Sequence, residues 1–278
     1  MGGRGPADLS KRGVGMGKVW TRALVTGASS GIGERFAELL AERSTELVVV
    51  ARSRDRLEAL ADRLPTHVEV LRADLGDPDD LDRVMSRVAS ESSPVDLVIN
   101  NAGVGSVGSF ADTDLSVSSR MLDVNVGALV RVTHAAANAM RRRDRGHILN
   151  VASVAGSIPG PGTAVYNASK AFVRSFSEAV HEELRDEGVV VSALCPGLVR
   201  TPFQDVAGAS VDGIPAMMWC DLDEVARAGL DGVLRGRAVI VPGLTYKGIV
   251  GLTHVLPSAV TRRVMGGARP TPIAAQQH

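Results

Sequence analysis

Short, continuous runs of apolar and β-branched residues alternate with longer segments of helical periodicity along most of this 278-residue chain. Runs without alternating polarity are typical of strands that are buried on both faces of a parallel sheet. The predicted strands are Ala23–Thr26, Leu47–Ala51, Val68–Arg72, Leu97–Asn100, Ile148–Ala152, Val189–Leu194 and Val239–Val241. The predicted helices are Ile32–Arg43, Arg54–Arg63, Asp79–Ser90, Ser116–Arg142, Ala164–Asp186 and Asp223–Leu234. A chain with this order of elements buries its strands most readily in one sheet that is covered by helices.

This order predicts an α/β fold: a single doubly wound, Rossmann-type domain over residues 19–243. Its seven-stranded, mostly parallel sheet should be flanked by helices on both faces, because right-handed crossovers put helices on either side. A hydrophobic fraction of 45% is enough for one large core at this length. Residues 1–18 are predicted to be a flexible extension, and residues 244–278 a C-terminal apolar helical segment with a frayed tail. Pro257 should divide that segment into two short amphipathic helices.

Charge and cysteine content exclude several classes of function. Lys and Arg number 31, as do Asp and Glu, so the neutral chain lacks the basic surface of a nonspecific nucleic-acid binder. Two cysteines cannot form a disulfide framework, and their scarcity favours a reducing, cytoplasmic location. No apolar stretch reaches the roughly 18 residues of a transmembrane span, and residues 1–18 lack the apolar core of a secretory signal. The six histidines show no metal-ligand spacing, so no metal is predicted.

A glycine-rich turn connects the first predicted strand to the first predicted helix. Gly27, Gly31 and Gly33 follow the spacing G-x-x-x-G-x-G directly after the strand. Glycines let a backbone turn tightly and approach a pyrophosphate, whose charge is then stabilised by the N–H groups of the helix N-terminus. The turn therefore predicts a dinucleotide site, and a merely structural turn is the alternative.

Polar residues follow the next three strands, at the sheet edge where ligands of open α/β sheets bind. Arg52 follows the second strand, where a carboxylate would select NAD(H) and an arginine accommodates the 2′-phosphate of NADP(H). No acid occurs there before Asp55, so NADP(H) is the preferred cofactor and NAD(H) the other candidate. Asp74 follows the third strand and the Asn100–Gly103 turn follows the fourth. A solvated arginine, a helix cap and ordinary turn residues are the respective structural alternatives.

The second half of the chain contains a candidate proton-transfer group. Tyr166 and Lys170 are four residues apart, so on a helix they share one face. A nearby ammonium group is expected to lower the tyrosine pKa from about 10, which suits proton exchange with an alcohol or carbonyl oxygen. Ser153, at the end of the fifth strand, is expected to hydrogen-bond the same oxygen. Taken alone, the Y-x-x-x-K spacing is equally compatible with an ordinary packing tyrosine.

The whole set, in this order along one sheet, resembles the short-chain dehydrogenase/reductase family over Val19 to Gly243. The resemblance implies that Tyr166 is the catalytic acid/base, that Ser153 orients the substrate oxygen, and that Lys170 lowers the Tyr166 pKa and holds the nicotinamide ribose. Asn125 would anchor a water linking Lys170 to solvent, and that water would satisfy a buried amide.

The resemblance also implies the cofactor contacts. Asp74 would contact the adenine, and Pro196, Gly197 and Thr201 the nicotinamide side. The full predicted cofactor set is Gly27, Ser29, Ser30, Gly31, Ile32, Gly33, Arg52, Asp74, Leu75, Asn101, Ala102, Gly103, Tyr166, Lys170, Pro196, Gly197, Val199 and Thr201.

These features together predict an NADP(H)-dependent oxidoreductase that interconverts a carbonyl and a secondary alcohol. Low aromatic content and the apolar C-terminal segment favour an apolar, fatty-acyl- or steroid-like substrate, and a small polar sugar is the alternative. One alternative is an inactive dinucleotide-binding regulator or scaffold, although Ser153, Tyr166 and Lys170 are all present. Another is an epimerase or dehydratase of the extended branch of the family, which the glycine spacing disfavours.

Two apolar surfaces suggest larger assemblies. The segment Ser116–Arg142 is apolar nearly all round, and Ala168, Phe172, Ser175 and Ala179 form a second stripe, so a homodimer or homotetramer is expected. The segment Leu244–Gly266 should pack on its own subunit or across the oligomer. Alternatively, with Ile214–Trp219, it would wall an apolar substrate entrance or make peripheral membrane contact through Arg262 and Arg263.

Overall fold

A computed structural model describes residues 19–210 and 213–255. The predicted extension 1–18 and the chain beyond Val255 lie outside these residues, so the expected break at Pro257 and the second C-terminal helix stay predictions.

Seven strands form one sheet, and every strand pair in it is parallel. The strands of this sheet are β1 (Arg22–Thr26), β2 (Glu46–Ala51), β3 (Val68–Arg72), β4 (Leu97–Asn100), β5 (Gly146–Val151), β6 (Val189–Leu194) and β9 (Val239–Ile240). Their spatial order is β3-β2-β1-β4-β5-β6-β9, so the direction of winding reverses between β1 and β4. Ligands of doubly wound folds bind at that reversal, beyond the carboxyl ends of the strands. The predicted fold class is confirmed.

Helices cover both faces of this sheet. They are α1 (Gly31–Ala41), α2 (Arg54–Arg63), α3 (Pro78–Ala89), α4 (Leu115–Leu122), α5 (Leu129–Arg141), α6 (Ala164–Glu183), α7 (Phe203–Ala207), α8 (Leu222–Leu234) and α9 (Leu244–Val255). Alternate residues of β1 serve the two faces: Val25 packs with α1, α2 and α8, and Leu24 packs with α3 and α5. Both side chains are fully buried, which explains why the strands are continuously apolar.

One predicted helix is interrupted. The segment Ser116–Arg142 was expected to be a single α-helix, but residues Asp123–Ala128 between α4 and α5 are π-helical. Within that turn, Asn125 is 1% exposed. Its Oδ1 accepts from the Val104 N–H, and its Nδ2 donates to the Val104 carbonyl oxygen. This pairing draws the helix toward the loop after β4, and such π-helical turns often mark functional sites.

A second small sheet lies beyond β6 and was not predicted. Its strands β7 (Leu198–Val199) and β8 (Trp219–Cys220) pair in parallel. Two-residue strands leave no periodicity in a sequence, so pattern analysis has nothing to detect.

Four buried polar side chains connect the central strands to two helices. Asn100 on β4 donates to Asn150 on β5 and to Thr133 on α5, at 2.8 and 3.0 Å. Asn150 donates in turn to Ser177 on α6 at 3.0 Å. Because every amide in this network has a partner, it fixes the relative positions of the elements that carry the candidate site.

Candidate active site

Each glycine of the turn between β1 and α1 is required by the backbone conformation or by a close contact. Gly27 and Gly31 have φ values of 67° and 58°, which side chains rarely adopt. A Cβ on Gly33 would lie 2.3 Å from the Gly27 carbonyl oxygen. Ser30 precedes α1 without capping it through its side chain, so the first N–H groups of the helix have no side-chain partner from this residue. The turn is thus a narrow cradle at a helix N-terminus, which suits a phosphate group.

The loop after β4 supports this turn. The Asn101 amide donates to the carbonyl oxygens of Thr26 and Gly27, at 2.9 and 3.2 Å. The Thr26 hydroxyl accepts from the backbone N–H groups of Asn101 and Ala102, both at 3.0 Å. These four hydrogen bonds hold the loop after β4 against the glycine turn.

Three charged groups lie at the ends of β2 and β3. Arg52 is exposed, and within the described residues it forms no salt bridge. Both oxygens of the Asp74 carboxylate bind Arg120 from α4, at 2.5 and 2.6 Å. Burial alone would raise the Asp74 pKa, but the hydrogen bonds from Arg120 and from the Gly76 N–H lower it overall, with smaller help from the Arg52 charge. Arg120 was not predicted, and the contact of Asp74 with adenine stays a prediction.

Ser153, Tyr166 and Lys170 meet at the carboxyl end of β5. The Ser153 hydroxyl accepts from the Ala155 N–H at 3.1 Å and lies close enough to Tyr166 to influence the pKa of its phenol. Lys170 is 5% exposed, its Nζ lies 5.9 Å from the centre of the Tyr166 ring, and it donates to the Val151 carbonyl at 2.8 Å. The three groups that the sequence pattern singles out are therefore neighbours in space.

Burial has the largest effect on the pKa values of Tyr166 and Lys170. It raises the pKa of Tyr166 to about 12, against a smaller lowering by the hydrogen bond with Ser153. It also lowers the pKa of Lys170 to about 8. The expected lowering of the Tyr166 pKa by Lys170 does not appear here, because the loss of hydration outweighs the other contributions. At neutral pH Tyr166 is therefore protonated and can act as a proton donor.

Asn125 lies beside this group, and its side chain is hydrogen-bonded within the protein. Besides its two contacts with Val104, its amide donates to the Ser169 hydroxyl at 3.1 Å. The chain itself therefore provides partners for the buried amide, and the water that would link Lys170 to solvent stays a prediction. Gly103 lies close by, since a Cβ there would be 3.3 Å from Asn125 Oδ1 and 3.5 Å from Lys170 Nζ.

The segment after β6 packs on both the glycine turn and Tyr166, and so covers the cleft between them. The Thr201 methyl group packs on Gly31, where a Cβ would approach it to 2.9 Å. Phe203, at the start of α7, places its ring 5.6 Å from the Tyr166 ring. Phe203 was not predicted, because its role depends on a chain reversal that no local pattern encodes.

The remaining predicted cofactor residues occupy the same edge of the sheet. Ile32 and Leu75 pack against the apolar clusters on opposite faces of the sheet, and Val199 is 4% exposed. Ser29 is half-buried in the glycine turn, and the Pro196 carbonyl accepts from the Val154 N–H next to Ser153. In the described ranges no three His, Cys, Asp or Glu side chains group as metal ligands, and no helix is long and apolar enough to cross a membrane.

A phosphate cradle at the winding reversal, beside a Ser–Tyr–Lys group, defines a dinucleotide-dependent oxidoreductase. The family profile of short chain dehydrogenases matches residues 21–211. The chain belongs to this family, whose members are NAD(P)-dependent oxidoreductases.

Relatives extend across most of the chain. The very-long-chain 3-oxoacyl-CoA reductase of Anas platyrhynchos is 32% identical over 220 residues, which cover 76% of this chain and 68% of the relative. A short-chain dehydrogenase from Sphingobium yanoikuyae, solved in complex with NADPH, is 35% identical with a TM-score of 0.75, covering 86% of this chain and 97% of its own. The bulky-bulky ketone specific alcohol dehydrogenase of Comamonas testosteroni is 31% identical with a TM-score of 0.72, covering 86% and 96%.

Proposed function

We propose that this chain is an NADP(H)-dependent enzyme that interconverts an apolar ketone and its secondary alcohol, with Tyr166 exchanging the proton. The observation that carries the proposal is the placement of buried Lys170, with its Nζ 5.9 Å from the Tyr166 ring centre, beside Ser153 at the sheet edge that also holds the glycine cradle. A proton-transfer group and a phosphate cradle on one edge suit a reaction in which a cofactor and a substrate meet.

The residues present fit a nicotinamide dinucleotide. The N–H groups at the start of α1 would bind the pyrophosphate, because the Ser30 side chain does not cap them and the glycines allow the tight turn that precedes the helix. Lys170 would hold the nicotinamide ribose, and Thr201 with the Pro196–Gly197 turn would line the nicotinamide side. When bound, the nicotinamide supplies or accepts the hydride.

Ser153 and Tyr166 would have different roles at the substrate oxygen. Ser153 would hydrogen-bond the carbonyl and hold it against the tyrosine hydroxyl. With a pKa of about 12, Tyr166 keeps its proton at neutral pH and would donate it to the oxygen as the alcohol forms. Lys170, whose Nζ is already fixed by the Val151 carbonyl, would stabilise the phenolate left behind.

Arg52 supports a preference for NADP(H). Its exposed guanidinium follows β2, next to the strand that leads into the glycine cradle, and no carboxylate pairs with it in the described part of the chain. A guanidinium can bind a 2′-phosphate through charge-assisted hydrogen bonds. The relative from Sphingobium yanoikuyae, solved with NADPH, supports the same choice.

The surroundings of Tyr166 suit an apolar substrate. A small depression beside it is lined by Phe110, Met121 and Val165 together with four Ser and Thr side chains, and the Phe203 ring packs on the Tyr166 ring. Three large apolar side chains on nearby loops and α7 are exposed: Phe110 at 66%, Val206 at 70% and Met217 at 74%. Exposed apolar groups of this kind favour a bulky ketone or fatty-acyl thioester over a sugar. The names of the Anas platyrhynchos and Comamonas testosteroni relatives agree with this class.

A panel of carbonyl compounds tests the proposal. Purified protein is incubated with NADPH or NADH and one of three substrates: a bulky aromatic ketone, a 3-oxoacyl thioester or a keto sugar. Cofactor oxidation is followed by absorbance. We expect turnover with NADPH and the first two substrates, at a higher kcat/KM than with the sugar. NADPH binding without turnover of any carbonyl would contradict the proposal and favour a cofactor-binding regulator.

A further inference from the structure

Tyr246, in the first turn of α9, forms a bridge that the proposed reaction does not use. Its side chain is buried, with 4% of the residue exposed. The hydroxyl donates to the Met218 carbonyl at 2.6 Å and accepts from the Leu198 N–H at 3.1 Å. An apolar ring would fill this space equally well, so the two hydrogen bonds call for a separate explanation.

The two backbone partners belong to the small sheet beyond β6. Leu198 is the first residue of β7, and Met218 immediately precedes β8. The ladder itself consists of only two residue pairs, Leu198 with Trp219 and Val199 with Cys220. Since so short a ladder is weak by itself, the hydroxyl adds a third connection between the strands at one end. Arg200, directly after β7, also contacts β8, since its guanidinium lies 4.2 Å from the centre of the Trp219 ring.

The strand β7 leads directly into the covering segment, which we define as residues 200–207. Thr201 of that segment packs on the glycine cradle, and Phe203 packs on Tyr166. The position of β7 therefore determines where these two side chains lie above the cleft.

The ring of Tyr246 reaches the nicotinamide side as well. A Cβ on Gly197 would lie 2.0 Å from Tyr246 Cε2 and 2.3 Å from Cζ, so the ring occupies all the space beside this glycine. Helix α9 also packs against the turn Val154–Ser157, which directly follows Ser153. One helix thus contacts both loops that flank the proposed reaction centre.

We infer that Tyr246 is a positioning residue for the nicotinamide half of the site. Its hydroxyl fixes β7 against β8. Through β7 it determines how Thr201 packs on the glycine cradle and how Phe203 packs on Tyr166. This inference rests on the proposed function, because it assumes that a dinucleotide lies in the cleft. It assigns α9 to the machinery of the site and not to an appendage of the domain.

The variant Tyr246→Phe separates the hydroxyl from the ring. It keeps the packing against Gly197 and removes only the bridge, so the fold should persist. Thr245→Val is the matched control, since it removes an exposed hydroxyl from the same helix. Two ligands are titrated: the dinucleotide that the wild type prefers and its adenosine fragment, which is 2′,5′-ADP for NADPH or ADP for NADH.

We expect Tyr246→Phe to bind the dinucleotide at least threefold more weakly while binding the fragment as the wild type does. KM for the ketone should rise more than kcat falls, because the covering segment is displaced while Tyr166 and Lys170 remain in place. Acrylamide should quench more of the tryptophan fluorescence in this variant. Trp20 is 1% exposed, so the added quenching would report on Trp219. Thr245→Val should match the wild type in all four measurements.

Unchanged dinucleotide binding and unchanged quenching in Tyr246→Phe would overturn the inference. Equal weakening of dinucleotide and fragment would overturn it too, because that result indicates general loosening. Failure of the proposed function looks different: the wild type would turn over no ketone. The binding and quenching comparisons still decide the role of Tyr246 in that case.

Discussion

Single residues set the chemistry of this site through their surroundings more than through their type. Tyr166 is an ordinary phenol whose pKa rises to about 12 because the protein buries it. Lys170 is an ordinary amine whose pKa falls to about 8 for the same reason. Burial therefore favours the neutral form of both groups, and in the proposed reaction the proton would stay on Tyr166 until a substrate oxygen accepts it.

Arg52 is the residue on which cofactor preference should depend. Arg52→Ala should weaken NADPH binding about 10- to 100-fold, because it removes charge-assisted hydrogen bonds to the 2′-phosphate, while NADH binding should barely change. Titration of both cofactors into wild type and variant measures this. Arg54→Ala is the control, since Arg54 is a nearby exposed arginine that already pairs with Glu58. If both cofactors weaken equally in Arg52→Ala, another group selects between them.

His147, at the opposite end of the sheet, should make stability depend on pH. Its Nδ1 accepts from Trp20 Nε1 at 3.1 Å, and burial lowers its pKa from 6.5 to about 4. Between these values the unfolded chain binds the proton and the folded chain does not. The contribution of neutral His147 to the free energy of unfolding is therefore fully present above pH 6.5. It is lost as the pH falls towards 4, and the loss is at most about 3 kcal/mol.

The variant His147→Asn isolates this effect. An asparagine Oδ1 can still accept from Trp20, yet it does not titrate. Urea unfolding at pH 7, 6 and 5 should show a smaller loss of stability in this variant than in the wild type, whereas exposed His134→Asn should follow the wild type. If the free energy of unfolding falls with pH equally in His147→Asn and in the wild type, the pKa of His147 does not differ between the folded and unfolded states.

At the scale of elements, the strands and long helices were predictable because hydrophobic periodicity extends over many residues. Helix α2 has its predicted bounds, Arg54–Arg63, and the predicted strands all occur with ends shifted by at most two residues. The π-helical turn at Asp123–Ala128 was not predictable, because it depends on Asn125 bonding to Val104, a loop residue distant in sequence.

The buried amide network between β4, β5, α5 and α6 should be a major contributor to stability. Asn150→Ala would leave the Asn100 amide and the Ser177 hydroxyl each short of a partner and would open a cavity, at a cost of about 2–4 kcal/mol. Asn138→Ala is the control, because that amide bonds only the exposed side chain of His134. Chemical denaturation measures both variants. A loss below about 0.5 kcal/mol in Asn150→Ala would show that the network is not needed for stability.

For the molecule as a whole, the sequence motifs identified residues that the fold brings together. Tyr166 and Lys170 are recognisable from their order and spacing, and the Lys170 Nζ lies 5.9 Å from the centre of the Tyr166 ring. Arg120, Phe203 and Tyr246 escaped prediction because each acts through a partner remote in sequence. Tyr246 did carry one clue, since the chain has only two tyrosines and the other is Tyr166.

The outer surface of α4 and α6 should form the contact between subunits. Four apolar side chains there are at least 41% exposed: Leu115, Val117, Leu122 and Phe172. We expect a homodimer or homotetramer, which Phe172→Glu should shift toward monomer in light scattering, because a charge would be buried without a partner. Val19→Glu, at an equally exposed site outside this surface, should leave the assembly intact. A monomeric wild type at micromolar concentration would contradict this interface.

The central claim is that one cleft binds the dinucleotide and that Tyr166 in the same cleft exchanges the proton. Tyr166→Phe tests it most directly, because the variant loses one hydroxyl and keeps the ring that packs on Phe203. The measurement is kcat for the best ketone of the panel, together with the Kd for NADPH. We expect a kcat about 10²–10⁴-fold lower with an NADPH Kd close to that of the wild type. A kcat close to that of the wild type would contradict it, because the proton would then come from another group.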